Sequence, residues 1–181
     1  ERLAASRLDY GMQLFAVGKW NEAALYYQAA VQEFLDLAAD DPDVPRFHES
    51  IALALNNRGV VLRSLGDYAA SELAHRRSLD EYTSLVKFQP QVLAHHVGLA
   101  GCRTSLGQLL RDLGRNRQAE EEFQAAIAGY QSLPDEHLEN AGIQHGVAVA
   151  RSNLGWTLYK LHQSDAAQTA LQIAIANSKD I

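Results

Sequence analysis

The sequence predicts an all-α protein, a solenoid built from four long helix pairs. Three observations support this fold class: a fixed internal period, apolar residues at helical spacing within each copy, and the lack of strand-like alternation. Glycines spaced by 48 residues mark the period, and leucines repeat it three residues further on. One structural unit is therefore expected to recur along the chain, with these markers: Gly11, Gly59, Gly107 and Gly155, then Leu14, Leu62, Leu110 and Leu158.

The second copy shows the two helices most clearly. Its first helix carries apolar residues at Ile51, Leu55 and Leu62, and it is predicted to end at Gly66, because glycine tolerates the left-handed conformation of a helix terminus. Asp67 is placed to cap a second helix, which Gln89 and Pro90 then stop. The same division over a single domain of residues 1–181 gives repeats at approximately 1–40, 46–88, 91–133 and 136–181.

Small residues explain how the two helices of a pair fit together. The marker glycine is expected where the helices approach closely, since its missing side chain lets two backbones come near. A row of large residues on the second helix is predicted to be core: Tyr27, His75, Phe123 and Leu171. Two rows of small residues complete the fit: Ala23, Ser71, Ala119 and Ala167, then Ala30, Ser78, Ala126 and Ala174.

The turn sequences resemble the tetratricopeptide repeat. The runs Gly18-Lys19-Trp20-Asn21-Glu22-Ala23 and Gly66-Asp67-Tyr68 match that family's pattern best, whereas the third copy lacks the aromatic residue at Asn116 and the fourth has His162 and Ser164 at the glycine and aromatic positions. The resemblance covers nearly the whole chain. It implies a right-handed α-α superhelix that binds other proteins.

The period is longer than the family's usual 34 or so residues, which predicts long helices. The phrases Leu37 to Pro45 and Asn56-Asn57-Arg58-Gly59 are similar to those of long-period arrays attached to planctomycete-type bacterial serine/threonine protein kinases. That similarity implies a bacterial origin and, as one possible function, a regulatory region of a kinase.

Composition excludes several classes of function. Sixteen Lys and Arg against 22 Asp and Glu give a net charge of -6, which argues against nucleic acid as a partner. No apolar run is long enough for a membrane span, and no signal peptide is present. One cysteine rules out an internal disulfide and a Cys-rich metal cage, and it leaves the compartment open, with the cytoplasm favoured. Because the chain begins at Glu1 and lacks an initiator Met, we expect it to be a piece of a longer protein.

No residue pattern predicts an enzyme. Cys102 lies in the register of small helical residues, which indicates a buried structural thiol, and the run Glu120 to Glu122 is expected on a solvated helix face. Neither a glycine-rich phosphate loop nor a paired-carboxylate motif occurs. We therefore predict no catalytic residues and no cofactor.

Histidines at one-period spacing, His48 and His96, suggest a metal site. Ligand bonds near 2 Å require convergent side chains, whereas neighbouring helix axes lie about 8 to 10 Å apart. His95 shares the register of Phe47 and Ile143, which favours packing. The sequence thus predicts no metal.

The tetratricopeptide resemblance implies that the first helices line a concave face and that the variable positions around the marker glycine contact the ligand. Arg63 and Arg111, one period apart, are predicted to grip a carboxylate or phosphate, and Trp156 with Tyr159 to supply apolar anchors. The alternative is that the arginines only solubilise the surface and that Trp156 packs on a further repeat. The predicted contact residues are Met12, Phe15, Asn56, Val60, Arg63, Thr104, Gln108, Arg111, Ser152, Trp156 and Tyr159.

Chaperone-binding members of the family use a carboxylate clamp of Lys, Asn and Arg, and this sequence does not supply it. The five clamp positions hold other residues in either register: Leu8, Met12, Asn57, Gly101 and Ser105 from the first copy, or Asn56, Val60, Ser105, Val149 and Asn153 from the second. Binding to a chaperone tail is therefore disfavoured.

These observations predict a non-catalytic scaffold that binds a peptide or protein segment on its concave face. The alternatives are the kinase region named above and a self-assembly module that forms homo-oligomers through its ends. End stacking is suggested by the last helix, which has no polar capping helix after it and is apolar at Ala167, Ala170, Leu171, Ala174 and Ile175.

Overall fold

The computed structural model describes residues 1–179 and is all-helical, with no strand among those residues. The predicted fold class is confirmed. The chain forms two compact units, the first spanning Glu1–Gln91 and the second beginning at Val92. In both units, pairs of antiparallel helices follow one another along the chain, and we call the two members of each pair the first and the second helix.

The first unit contains two helix pairs. Helix α1 packs against α2, α2 against α3, and α3 against α4. Its core is one cluster in which Val31, Phe34 and Ala38 of α2 meet Ile51 and Leu55 of α3. The first helices are α1 and α3 and the second helices α2 and α4, with bounds Arg2–Ala16, Trp20–Asp40, Pro45–Ser64 and Tyr68–Phe88.

The second unit repeats this plan with one addition. Helix α5 packs against α6, α6 against α8, and α8 against α9. The added helix, α7, is a single turn just after Pro134, and the sequence pattern does not predict it because four residues are too few to show a period. The first helices are α5 and α8 and the second helices α6 and α9; the five helices span Leu93–Asp112, Asn116–Gln131, Asp135–Leu138, Ala141–Lys160 and Ser164–Lys179.

Side chains that start and stop the helices are visible at α3 and α4. Pro45 is at the first position of α3, where a missing N–H costs nothing. The Asp67 carboxylate accepts a hydrogen bond from the Ala70 backbone N–H (3.1 Å), as predicted for the cap of α4. Helix α4 ends before Gln89, the predicted stop.

The turn inside each helix pair uses one left-handed residue. Gly18, Gly66 and Gly114 have φ of 77°, 82° and 73°, and His162 has φ of 61°. The residue after each of them donates a backbone hydrogen bond of 2.8 to 3.0 Å to the carbonyl of a marker leucine, which is the closure of a Schellman motif. The acceptors are Leu14, Leu62, Leu110 and Leu158.

The marker glycines lie at the predicted close approach of the two helices. A Cβ atom on Gly59 would lie 2.6 Å from the His75 ring, and one on Gly107 would lie 2.7 Å from the Phe123 ring. Gly11 meets Tyr27 and Gly155 meets Leu171 in the same way. Any larger residue would therefore push the second helix away.

Small residues on the second helices are buried as predicted. Where the small residue is a serine, its hydroxyl reaches across to the first helix: Ser71 Oγ donates to the Gly59 carbonyl and Ser78 Oγ to the Ala52 carbonyl, both at 2.7 Å. A buried hydroxyl needs such a partner. None of the described helices is long and apolar enough to cross a membrane.

Candidate functional site

Residues with catalytic potential are engaged in packing or ion pairs. Cys102 is buried in α5, which agrees with its prediction as a structural thiol. In the glutamate run, Glu122 pairs with Arg103 (3.0 Å) and Glu120 lies 3.7 Å from Arg117. Within residues 1–179, no three His, Cys, Asp or Glu side chains are grouped so as to hold a metal. The surface of the first helices is therefore the better candidate.

In the first unit, three predicted contact residues line one open cavity of about 270 Å³ between α1 and α3. They are Met12 and Phe15 of α1 and Val60 of α3, and Tyr27 and Asn57 complete the lining. Burial raises the pKa of Tyr27 to about 12, so its ring stays neutral. The cavity combines apolar walls with one amide, a surface suited to an apolar side chain beside a peptide backbone.

Two other predicted residues of this unit, Asn56 and Arg63, lie close to the buried His75. The Asn56 Oδ1 atom is 3.1 Å from His75 Nδ1, so the Asn56 amide is directed toward the core. Burial, and secondly the positive charge of Arg63, lower the pKa of His75 to about 4. The imidazole is therefore neutral at pH 7, and Arg63 places a half-exposed positive charge on the first-helix face.

In the second unit, one arginine connects the two first helices. Arg111 of α5 donates from Nη1 to Asn153 Oδ1 of α8 (2.6 Å), and its Nη2 lies 3.9 Å from the Asp112 carboxylate. The guanidinium keeps part of its surface in solvent. Because its position is fixed by Asn153, it can offer its remaining N–H groups to an anion with little loss of side-chain entropy.

Helix α8 also carries the most exposed aromatic pair of the first helices. Trp156 is 57% exposed and Tyr159 is 59% exposed. Their rings meet edge to face, with centroids 6.3 Å apart. Exposed aromatic side chains that support each other in this way are typical anchors of protein interfaces.

The remaining predicted residues differ in how accessible they are. Gln108 and Ser152 are half-buried, whereas Thr104 is buried and donates its hydroxyl to the Ala100 carbonyl (3.0 Å). Little of Thr104 is therefore available to a ligand. Its contact role stays a prediction, as does the joint grip by Arg63 and Arg111, which belong to different units.

Sequence reasoning missed the contributions of Asn57 and Asn153. Asn57 lines the cavity of the first unit, and Asn153 holds Arg111 in the second. Both occupy positions that the clamp comparison examined. The signal was present, but that comparison looked for a full set of clamp residues and set aside isolated asparagines.

These features define a class of protein, a helical repeat protein of the tetratricopeptide type. The family model described as tetratricopeptide repeat matches residues 51–90 and 99–133, which supports this class. No curated protein sequence matches the chain.

Among solved structures, the chain is similar to BtubC (BKLC) from P. vanneervenii, with a TM-score of 0.75 and 18% sequence identity. The alignment covers 98% of this chain and 63% of that one, so the chain spans less than two thirds of its length. At this identity the similarity shows a shared fold. It says nothing of a shared partner.

Proposed function

We propose that the chain is a non-catalytic scaffold and that the first-helix faces of its two units bind a segment of another protein. The observation that carries this proposal is the exposed pair Trp156 and Tyr159 on α8. Exposed aromatic residues without a structural task mark interaction sites far more often than single exposed aliphatic residues do.

The rest of the surface supports a peptide ligand of mixed character. The cavity beside Met12, Phe15 and Val60 fits an apolar side chain. Arg63 and the positioned Arg111 add positive charge, which favours carboxylate or phosphate groups on the ligand. An acidic segment with apolar or aromatic anchors is thus the proposed partner. The resemblance to kinase-linked arrays adds no evidence on what that partner is.

Selection from a random peptide library tests the proposal. Peptides selected on the wild-type chain should lose at least about tenfold in affinity for the variant Trp156→Ala/Tyr159→Ala, since central aromatic anchors are worth about 2 kcal/mol or more. Arg63→Ala/Arg111→Ala should weaken those selected peptides that carry acidic residues. Isothermal titration calorimetry measures both effects.

Trp20→Ala provides the matched control. Trp20 is also a largely exposed tryptophan, but it begins the second helix α2, so its removal should leave the affinity unchanged. If the selected peptides bind the Trp156→Ala/Tyr159→Ala variant as tightly as the wild type, the assignment of the first-helix face is wrong.

A further inference from the structure

The outer surface of the first helix pair carries an apolar groove. It runs between α1 and α2 and is lined by Leu3, Tyr10, Leu25 and Tyr26, all of them exposed. The rings of Tyr10 and Tyr26 meet edge to face with centroids 4.8 Å apart and form its floor. This groove lies on a different surface from the cavity lined by Met12 and Phe15.

The same register is buried elsewhere in the molecule, and the structure shows what covers it. Leu3 is 59% exposed, whereas Ile51, 48 positions further along, is fully buried. Ile51 shares its core cluster with Val31 of α2. In the second unit Val147, again at this register, is buried in a cluster with Tyr130 of α6. In both cases the cover is the second helix of the preceding pair.

Helix α9 exposes a surface of that kind. Ile175 is at the register of Val31, but it is 56% exposed whereas Val31 is 7% exposed. Gln172 is at the register of Gln28, whose Oε1 accepts a hydrogen bond from Arg58 of α3 (3.3 Å). Most of the apolar residues predicted to mark this end pack inward instead: Ala167 and Ala174 are buried, and Leu171 lies against Gly155.

We propose that α9 of a second copy docks in the α1–α2 groove, so that the chain associates head to tail. Ile175 then covers Leu3 as Val31 covers Ile51. Gln172 faces Tyr10, which stands at the register of Arg58 and can donate its hydroxyl to the amide. Because the two surfaces differ, the contact is heterologous and continues into longer chains or closes into a ring. It does not depend on the first-helix face.

Sedimentation velocity of the full chain over a wide concentration range tests the proposal. We expect the average mass of the wild type to rise with concentration, and Leu3→Glu or Ile175→Glu to weaken association at least about tenfold, because a buried charge replaces an apolar contact. The control is Leu73→Glu, since Leu73 of α4 is 62% exposed but lies off the groove; this variant should associate like the wild type. Circular dichroism confirms that each variant is folded.

Mixing the two variants tests the head-to-tail arrangement. Leu3→Glu keeps its α9 and Ile175→Glu keeps its groove, so a mixture should form a one-to-one dimer and stop there, although each variant alone stays monomeric. A wild type that is monomeric at all concentrations overturns the proposal. So does self-association of Ile175→Glu alone, because that result means that two grooves meet each other.

Discussion

At the scale of single residues, His75 is the least expected feature of the core. It occupies the position that Tyr27 and Phe123 fill in the neighbouring repeats, and it is fully buried against Gly59. Burial and the nearby Arg63 lower its pKa to about 4. The unfolded chain has the ordinary histidine pKa near 6.5, so the unfolded state takes up a proton that the folded state does not.

Stability is therefore expected to fall as the pH is lowered from about 6.5 to about 4. At about 1.4 kcal/mol per pKa unit, the loss of unfolding free energy from this residue is on the order of 3 kcal/mol. Below about pH 4 the folded state also binds the proton, and this contribution stops changing. The His75→Phe variant should lose that part of the pH dependence, which urea unfolding at a series of pH values measures.

Phe123 at the same register shows that phenylalanine fits opposite a marker glycine. The control is His145→Gln, because His145 is exposed on α8, and it should keep the pH dependence of the wild type. An unchanged slope between pH 6.5 and 4 in His75→Phe would contradict the assignment.

At the scale of the helices, the close approach of paired helices sets which glycines are essential. Two glycines of α5 give a matched comparison. A Cβ on Gly107 would lie 2.7 Å from the Phe123 ring, whereas a Cβ on Gly101 would have as its nearest neighbour Tyr130 Oη at 3.8 Å. We expect Gly107→Ala to destabilise the chain by about 1 to 3 kcal/mol through overpacking.

Gly101→Ala should instead stabilise the chain by up to about 1 kcal/mol, since alanine loses less backbone entropy within a helix. Denaturant unfolding of both variants measures the difference. Equal effects of the two substitutions would mean that the close approach at Gly107 does not constrain the pair.

The sequence was sufficient to predict the helix pairs because their signals are local. The left-handed turn residue, the Asp67 cap and the Gly–aromatic contact each depend on residues whose spacing repeats. Helix α7 and the left-handed conformation of His162 could not be predicted in this way. The first is too short for a periodic signal, and at His162 packing of the flanking helices overrides the preference of a non-glycine residue.

At the scale of the whole molecule, each unit presents a first-helix face of its own. Sequence positions predicted which residues lie near these faces, but they could not predict side-chain direction. Asn56 bonds to the core histidine, Thr104 is buried, and Arg111 is held by Asn153. These outcomes depend on contacts between helices that a register alone does not contain.

The central claim is that the first-helix faces bind a protein segment. Hydrogen–deuterium exchange of the chain, with and without a peptide selected from the library, tests it most directly. The account predicts slower exchange along first helices, above all in α8 around Trp156 and Tyr159, with the second helices unchanged. Slower exchange confined to the second helices would contradict it.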